Sequence, residues 1–224
     1  MSVARVACRA QVGLTAPLVE VEVHLGSGLP VFTIVGLAAT EVKESKERVR
    51  AALANTGFEW PSGRITVNLA PADLPKDGGR FDLAIAIGIL VASDQVGRGA
   101  EASLKRLEFL GELGLGGELR SVRGALLAAR ASAAAGRALV LPAANAREMR
   151  LLPQLAAFAA GHLLEVCSHL AGKCELPAAR SAAGTAGWSE AQAARPPSLA
   201  DVCGQSQAKR ALPVAAAGGH SLLM

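Results

Sequence analysis

The chain has 224 residues, of which 51% are hydrophobic and 19% charged, with a formal net charge of +4. This composition excludes a disordered chain and gives ample length for a buried core in one or two domains. Five Phe, two Trp and no Tyr argue against single-strand recognition by aromatic stacking, and so mild a charge permits an anionic partner without requiring one.

The segments "ARVACRAQVGL" and "LVEVEVHLG" alternate in character and predict two strands, with Val19, Val21 and Val23 on one face and Glu20, Glu22 and His24 on the other. After the turn "GSGLP", "VFTIVGL" is a third β-branched run, and the three together predict an antiparallel meander. "TEVKESKERVRAALANTGF" predicts a helix with the stripe Val42, Ser45, Val49, Ala52 and Leu53. Thr40 is its candidate N-cap and Gly57 its C-terminal glycine. Glu44 and Arg48 stand four apart in the favourable order, and the charges of Lys43, Lys46, Arg48 and Arg50 read as a solvated face.

"RITVNLAP" predicts a strand with Ile65, Val67 and Leu69 inward. "DLPKDGGRFDLAIAIGIL" is a turn feeding a helix over 81–93, apolar nearly all round and so expected at the centre of the core. "EFLGELGLGGELRSV" predicts a hairpin, "GALLAARASAAAG" a helix ending at Gly136, and "RALVLP" a strand ended by Pro142. "NAREMRLLP" reads as a short helix and "HLLEVCSHLAG" as a last amphipathic one. Residues 177–198 are small, polar and Pro-bounded, which predicts a linker; a structured pattern resumes over 199–224.

The amino terminus lacks the charged and apolar regions of a signal peptide. The longest apolar stretch, 83–92, is about half of what a bilayer requires. Cys8, Cys167, Cys174 and Cys203 form no C-x-x-C pair, which predicts a reduced, cytoplasmic protein with buried thiols and no membrane partner.

Three chemistries can be tested against the residues present. A phosphate loop needs G-x-x-x-x-G-K-[ST]. The only Gly-Lys pair, Gly172-Lys173, is followed by Cys174, with Cys167 where the first glycine belongs. No complete G-x-G-x-x-G occurs, so no cofactor site is expected within these residues. His162, Cys167, His169 and Cys174 offer soft ligands, but Leu163, Leu164, Val166 and Leu170 interleave with them as a core stripe does, so buried thiols and no metal are expected. Asp73, Lys76, Asp77 and Asp82 crowd one loop, where a cap and a solvated turn is the expected reading.

Six longer motifs are more specific: "GLPVFTIVGL", "ESKERVRAALANTGFEWP", "RITVNLAPADLPKDG", "FDLAIAIGIL", "FLGELGLGGELRSVRG" and "GHLLEVCSHLAG". In this order, over nearly all of residues 1–175, they resemble the amino-terminal domain of the ComM/YifB family of magnesium-chelatase-like AAA+ proteins. "DVCGQSQAKRALPVAAAGGHSLLM" resembles the entry to that family's AAA+ module, with "HSLLM" as the strand before a phosphate loop that would follow Met224. One departure is "GLAAT", where the family usually has Pro-Asp after Gly-Leu.

The resemblance implies an α+β fold, a two-layer mixed sheet packed by helices, like domain 2 of ribosomal protein S5 and the proteolytic domain of Lon. It implies three parts: a Lon-like domain over 1–176, a flexible linker over 177–198 and the start of an AAA+ domain over 199–224. In Lon-type domains a Ser–Lys dyad performs peptide hydrolysis. The matching positions here are Arg80 and Leu126, which supply neither a nucleophile nor a base. No catalytic residue is therefore expected in this chain. The whole protein would be an ATPase that uses ATP and magnesium, works as a homo-oligomer such as a hexamer, and acts on DNA in branch migration. Lys76, Arg80, Arg64, Arg120 and Arg123 are the candidate nucleic-acid contacts. A subunit of a magnesium-chelatase-type ATPase and a purely structural oligomerisation module are the alternatives.

Overall fold

The computed structural model describes residues 2–36, 40–97, 99–151, 154–179 and 198–223. The chain divides into two units, 1–184 and 185–224. The first contains a seven-stranded mixed sheet whose strands run in the order 32–35, 64–70, 18–26, 2–9, 107–109, 138–142 and 157–160, packed by helices.

Alternation sets the register at its start. β1 (Ser2–Arg9) and β2 (Leu18–Gly26) are antiparallel, with Ala4, Val6 and Cys8 opposite Val23, Val21 and Val19. All six are buried, so one face of the hairpin is apolar throughout. The third predicted strand, β3 (Phe32–Val35), does not complete a meander. β4 (Arg64–Ala70) lies between it and β2, antiparallel to β2 and parallel to β3. The reason is burial: β4 carries the fully buried Ile65, Val67 and Leu69 and takes the interior place. β3 has only Phe32 and Ile34 half-buried, and goes to the edge.

α1 (Thr40–Asn55) buries Val42, Ser45, Val49, Ala52 and Leu53, the predicted stripe. Its end is followed by Gly57 at φ +81°. The residues 37–39 of "GLAAT" and the side chain of Thr40 lie outside what is described. α2 (Asp82–Ala92) follows a 3₁₀ turn over Gly79–Phe81 and is buried all round, packing on β1 and β2 beneath α1. Each buried Ile or Leu of α2 contributes about 1.5–3 kcal/mol. Gly88 permits the close contact: a Cβ there would sit 2.5 Å from Val23 Cγ2.

Beyond α2, a short α3 (Ala100–Leu104) precedes β5 (Leu107–Phe109), which is parallel to β1. The predicted hairpin is narrower than its sequence suggests. β6 (Glu112–Leu113) and β7 (Leu119–Arg120) form it, while the first apolar run joins the main sheet as β5. α4 (Ala125–Ala134), β8 (Ala138–Pro142), β9 (Ala157–Ala160) and α5 (Leu163–Leu170) complete the unit. The predicted short helix is a 3₁₀ stretch, Ala143–Leu151. α2 and α4 lie on opposite faces of the sheet. Gly88 of α2 approaches Val6 and Val23, whereas Ser132 of α4 reaches Glu108, which binds Arg9 on the reverse side of β1. Pro177 and Ala178, placed in the linker by sequence, continue along β9: Ala159 N–H donates to Pro177 O at 3.0 Å.

The second unit is described over 198–223. Ser198 and Asp201 form a capping box on a 3₁₀ turn, and α6 (Ser206–Gly218) follows. Residues 220–223 take no regular structure, in place of the strand expected from "HSLLM"; a strand requires a neighbour to pair with, and none is present among the described residues.

Candidate functional site

The glycine loop after β4 holds two cations with opposite fates. The side chain of Lys76 is buried, and its ammonium donates to the carbonyls of Gly36 and Leu74, each at 2.8 Å, and of Pro71. Three donors meet three acceptors, so nothing is left for a ligand. Burial lowers its pKa, against an opposing pull from Asp73. Lys76 is thus a clasp for the loop, with no donor free for the phosphate contact expected of it. Arg80 stands differently. Its Nη2 donates to Gln11 Oε1 and to Arg123 O, both at 3.0 Å, and its other guanidinium nitrogens have no partner among the described residues. Burial lowers its pKa, but a guanidinium stays charged.

Arg80 lines a cleft of about 590 Å³ between the β1–β2 turn (Gln11, Gly13), the loop (Asp77, Gly78, Gly79) and the segment Ser121, Val122 and Arg123. Glu112 closes one side: a Cβ on Gly79 would lie 2.5 Å from Glu112 Cγ. Arg120 reaches Glu112 at 3.9 Å, and Arg123 is exposed. Arg80 and Arg123 thus share the cleft, and Arg120 adjoins it only through Glu112. Arg64 does not join them. It begins β4 opposite Gly26, while the loop leaves β4 at its other end, roughly 20 Å away along the strand. Leu126, in the first turn of α4, packs half-buried against the core. It follows Arg123 by three residues, so the Arg80 bond to Arg123 O draws the two dyad-matching positions to one corner.

A family model described as subunit ChlI of Mg-chelatase matches residues 21–145, more than half of the chain. The chain belongs to this family. A second model, magnesium chelatase subunit ChlI, matches residues 198–224. The full chain is 49% identical to the competence protein ComM of Haemophilus influenzae, covering 43% of that protein. It is 45% identical to the uncharacterized protein YifB of Salmonella typhimurium and 44% identical to YifB of Escherichia coli, covering 42% of each. Within the ChlI family the chain is therefore an amino-terminal segment of the ComM/YifB type, and it spans less than half the length of these relatives. No helix among the described residues is long and apolar enough to cross a membrane.

Two predicted features of the ChlI-family chain need correction. Asp82 is not a solvated cap but fully buried: Arg48 Nε donates to Oδ2 at 2.7 Å, Arg48 Nη2 to Oδ1 at 3.2 Å and Leu113 N–H to Oδ2 at 3.2 Å. Arg48 therefore turns inward to Asp82 from a face expected to be solvated, instead of making its closest pair with Glu44. Burial raises the pKa of Asp82 despite these bonds.

The soft-ligand cluster is occupied by packing. His162 caps α5, its Nδ1 accepting from Leu164 N–H and its Nε2–H donating to Gly116 O at 3.1 Å. His169 Nδ1 accepts from Leu176 N–H and its ring packs on Phe158. Cys167 is buried, and desolvation pushes its thiol up to about 12. Cys174 and Cys203 are exposed, against the expectation that the thiols are buried.

One constellation escaped the sequence reading. Glu108 is fully buried and accepts from Arg9 Nε at 2.6 Å and Nη2 at 2.7 Å, from Ser132 Oγ, and from Arg137 Nη1 at 3.5 Å. It ties β1, β5 and α4 together. Its signal was a single carboxylate inside the apolar run "LEFL", which demands a buried cation.

Proposed function

We propose that residues 1–176 are a non-catalytic accessory domain of an AAA+ ATPase acting on DNA, and that the Arg80–Arg123 cleft contacts the nucleic acid. The observation that carries this reading is the cleft itself. A guanidinium with unpartnered donors and a second exposed arginine meet where a hydrolase of similar fold would need a hydroxyl and an amine. A guanidinium fork suits phosphate and cannot act as a nucleophile. The relative named as a competence protein supports work on DNA in the whole protein, and the match over 198–224 supports an ATPase module.

ATP and magnesium are proposed for the whole protein, together with self-assembly into a ring and a cytoplasmic location. Residues 198–223 carry no Gly-Lys-Ser/Thr run and do not by themselves fit a phosphate chain. The description of the matched family favours a second reading, a subunit of a magnesium-chelatase-type ATPase, and protection from heat unfolding by a tetrapyrrole would test it.

The test of the main reading is binding of the 224-residue chain to single-stranded and branched DNA over a salt series. The expected result is salt-sensitive binding, with Arg80→Ala plus Arg123→Ala reducing the slope of log K against log salt by about 1 to 2. Arg64→Ala, at the far end of β4, is expected to leave it unchanged. Absence of salt-dependent binding would sink the reading.

A further inference from the structure

The edge of β1 that faces β5 is only partly used. β2 pairs with all eight residues of β1, but β5 meets it at one position, Ala7 opposite Glu108. The bond from Ala10 N–H to Pro17 O, at 3.0 Å, fixes the phase of the β1–β2 ladder. Alternate residues Ala4, Val6 and Cys8 therefore turn their N–H and C=O groups toward β2, while Val3, Arg5 and Ala7 turn theirs away. Ala7 finds β5. Val3 and Arg5 have no strand opposite them among the described residues, because the chain that would continue β5 backward is coiled into α3. Their side chains are exposed as well, at 58% for Val3 and 68% for Arg5.

This open edge lies in a groove of about 350 Å³ that touches residues 3–7 in succession. Val91 and Leu104 form the apolar part of its wall on the side of α2 and α3, with Glu101 and Lys105 at the rim. Leu18, Glu20 and Arg137 line it on the reverse face. The run of β1 along it is about 13 Å.

We propose that this edge is a docking site for an extended peptide segment of another polypeptide, with aliphatic side chains at alternate positions. A row of donor, acceptor, donor and acceptor at strand spacing is matched by a peptide backbone, and neither a lipid surface nor a nucleic acid offers that pattern. Every second side chain of an added strand would meet Val91 and Leu104, which sets the aliphatic alternation; the others would meet the polar wall with Glu20 and Arg137. The recess favours a single strand over a second copy of this chain, whose own α3 and Arg137 would need the same space. The fold already treats its far edge in this way: β9 is covered by the extended residues Pro177 and Ala178.

The test is selection of a random octapeptide library on the full 224-residue chain, followed by synthesis of the enriched sequences. The expected peptides alternate aliphatic residues, slow amide hydrogen exchange at Val3 and Arg5, and lose at least tenfold in affinity with Val3→Pro. That variant removes an outward N–H and leaves the β2 ladder intact; an unchanged far-UV spectrum confirms its fold. If it does not fold, amide exchange in the wild-type chain decides alone. No enrichment, undiminished binding by folded Val3→Pro, or slow exchange at Val3 and Arg5 before any peptide is added would overturn the proposal. So would a dimer abolished by Val3→Pro, which would make a second copy the occupant.

Discussion

Asp82 and Glu108 are both fully buried carboxylates held by arginine, yet their surroundings differ in a way that decides their worth. Asp82 faces one guanidinium, Arg48, whose side chain keeps 21% of its exposure. Glu108 faces two, and the nearer, Arg9, is only 8% exposed. Removing a buried carboxylate is severe when its cation is also buried, because that cation is left uncompensated. Where the cation can turn to water, the loss is mild. The comparison predicts that Glu108→Gln loses about 3–5 kcal/mol, read by urea unfolding at pH 7. A loss under about 1 kcal/mol would show that water reaches Arg9 in spite of its burial.

The same logic extends to a buried cation. Lys76→Met keeps the length of the stem but leaves the carbonyls of Gly36, Pro71 and Leu74 without their donor. An unsatisfied buried acceptor costs about 1–3 kcal/mol, softened here because burial disfavours the ammonium itself. The expected loss lies at about 1–3 kcal/mol, smaller than for Glu108→Gln. If DNA affinity also fell in this variant while Arg80→Ala had no effect, the assignment of Lys76 as a structural clasp would be wrong.

The sequence carried the strands and helices with strong periodicity because a single face of each had to be buried. The stripe Val42, Ser45, Val49, Ala52 and Leu53 was legible for that reason, and so was the all-round burial of α2. Strand order was not, because alternation fixes which face is inward but says nothing about the neighbour. β4 therefore entered between β2 and β3 unannounced. β9, "AFAA", gave no signal because alanine has little strand preference. At the candidate site, glycine spacing marked the loop but could not separate Lys76 from Arg80. Both stand in the charged turn before α2, and only the three carbonyls around Lys76 distinguish them. Glu108, Arg9 and Ser132 are far apart in sequence, so their meeting required the parallel placement of β5 beside β1.

The smallest effect belongs to Asp82, and pH gives it a sign. Burial raises its pKa above the ordinary 3.8, so between these two values the native state holds a proton that the unfolded chain has released. Stability then falls as pH rises from about 3.8 to the raised native value, and is flat above it with respect to this group. Asp82→Asn abolishes that slope. It also retains an oxygen for Leu113 N–H and leaves Arg48 able to reach solvent, so its cost at pH 7 is expected at about 1 kcal/mol or less. Urea midpoints of wild type and variant, compared from pH 4 to pH 7, carry the test. Converging stabilities with rising pH are expected; a gap that widens as pH rises would contradict it, because that is the sign of a carboxylate whose native pKa is depressed and whose arginine outweighs its burial. A guanidinium that keeps 21% of its exposure would then suffice to hold the buried Asp82 in its charged form.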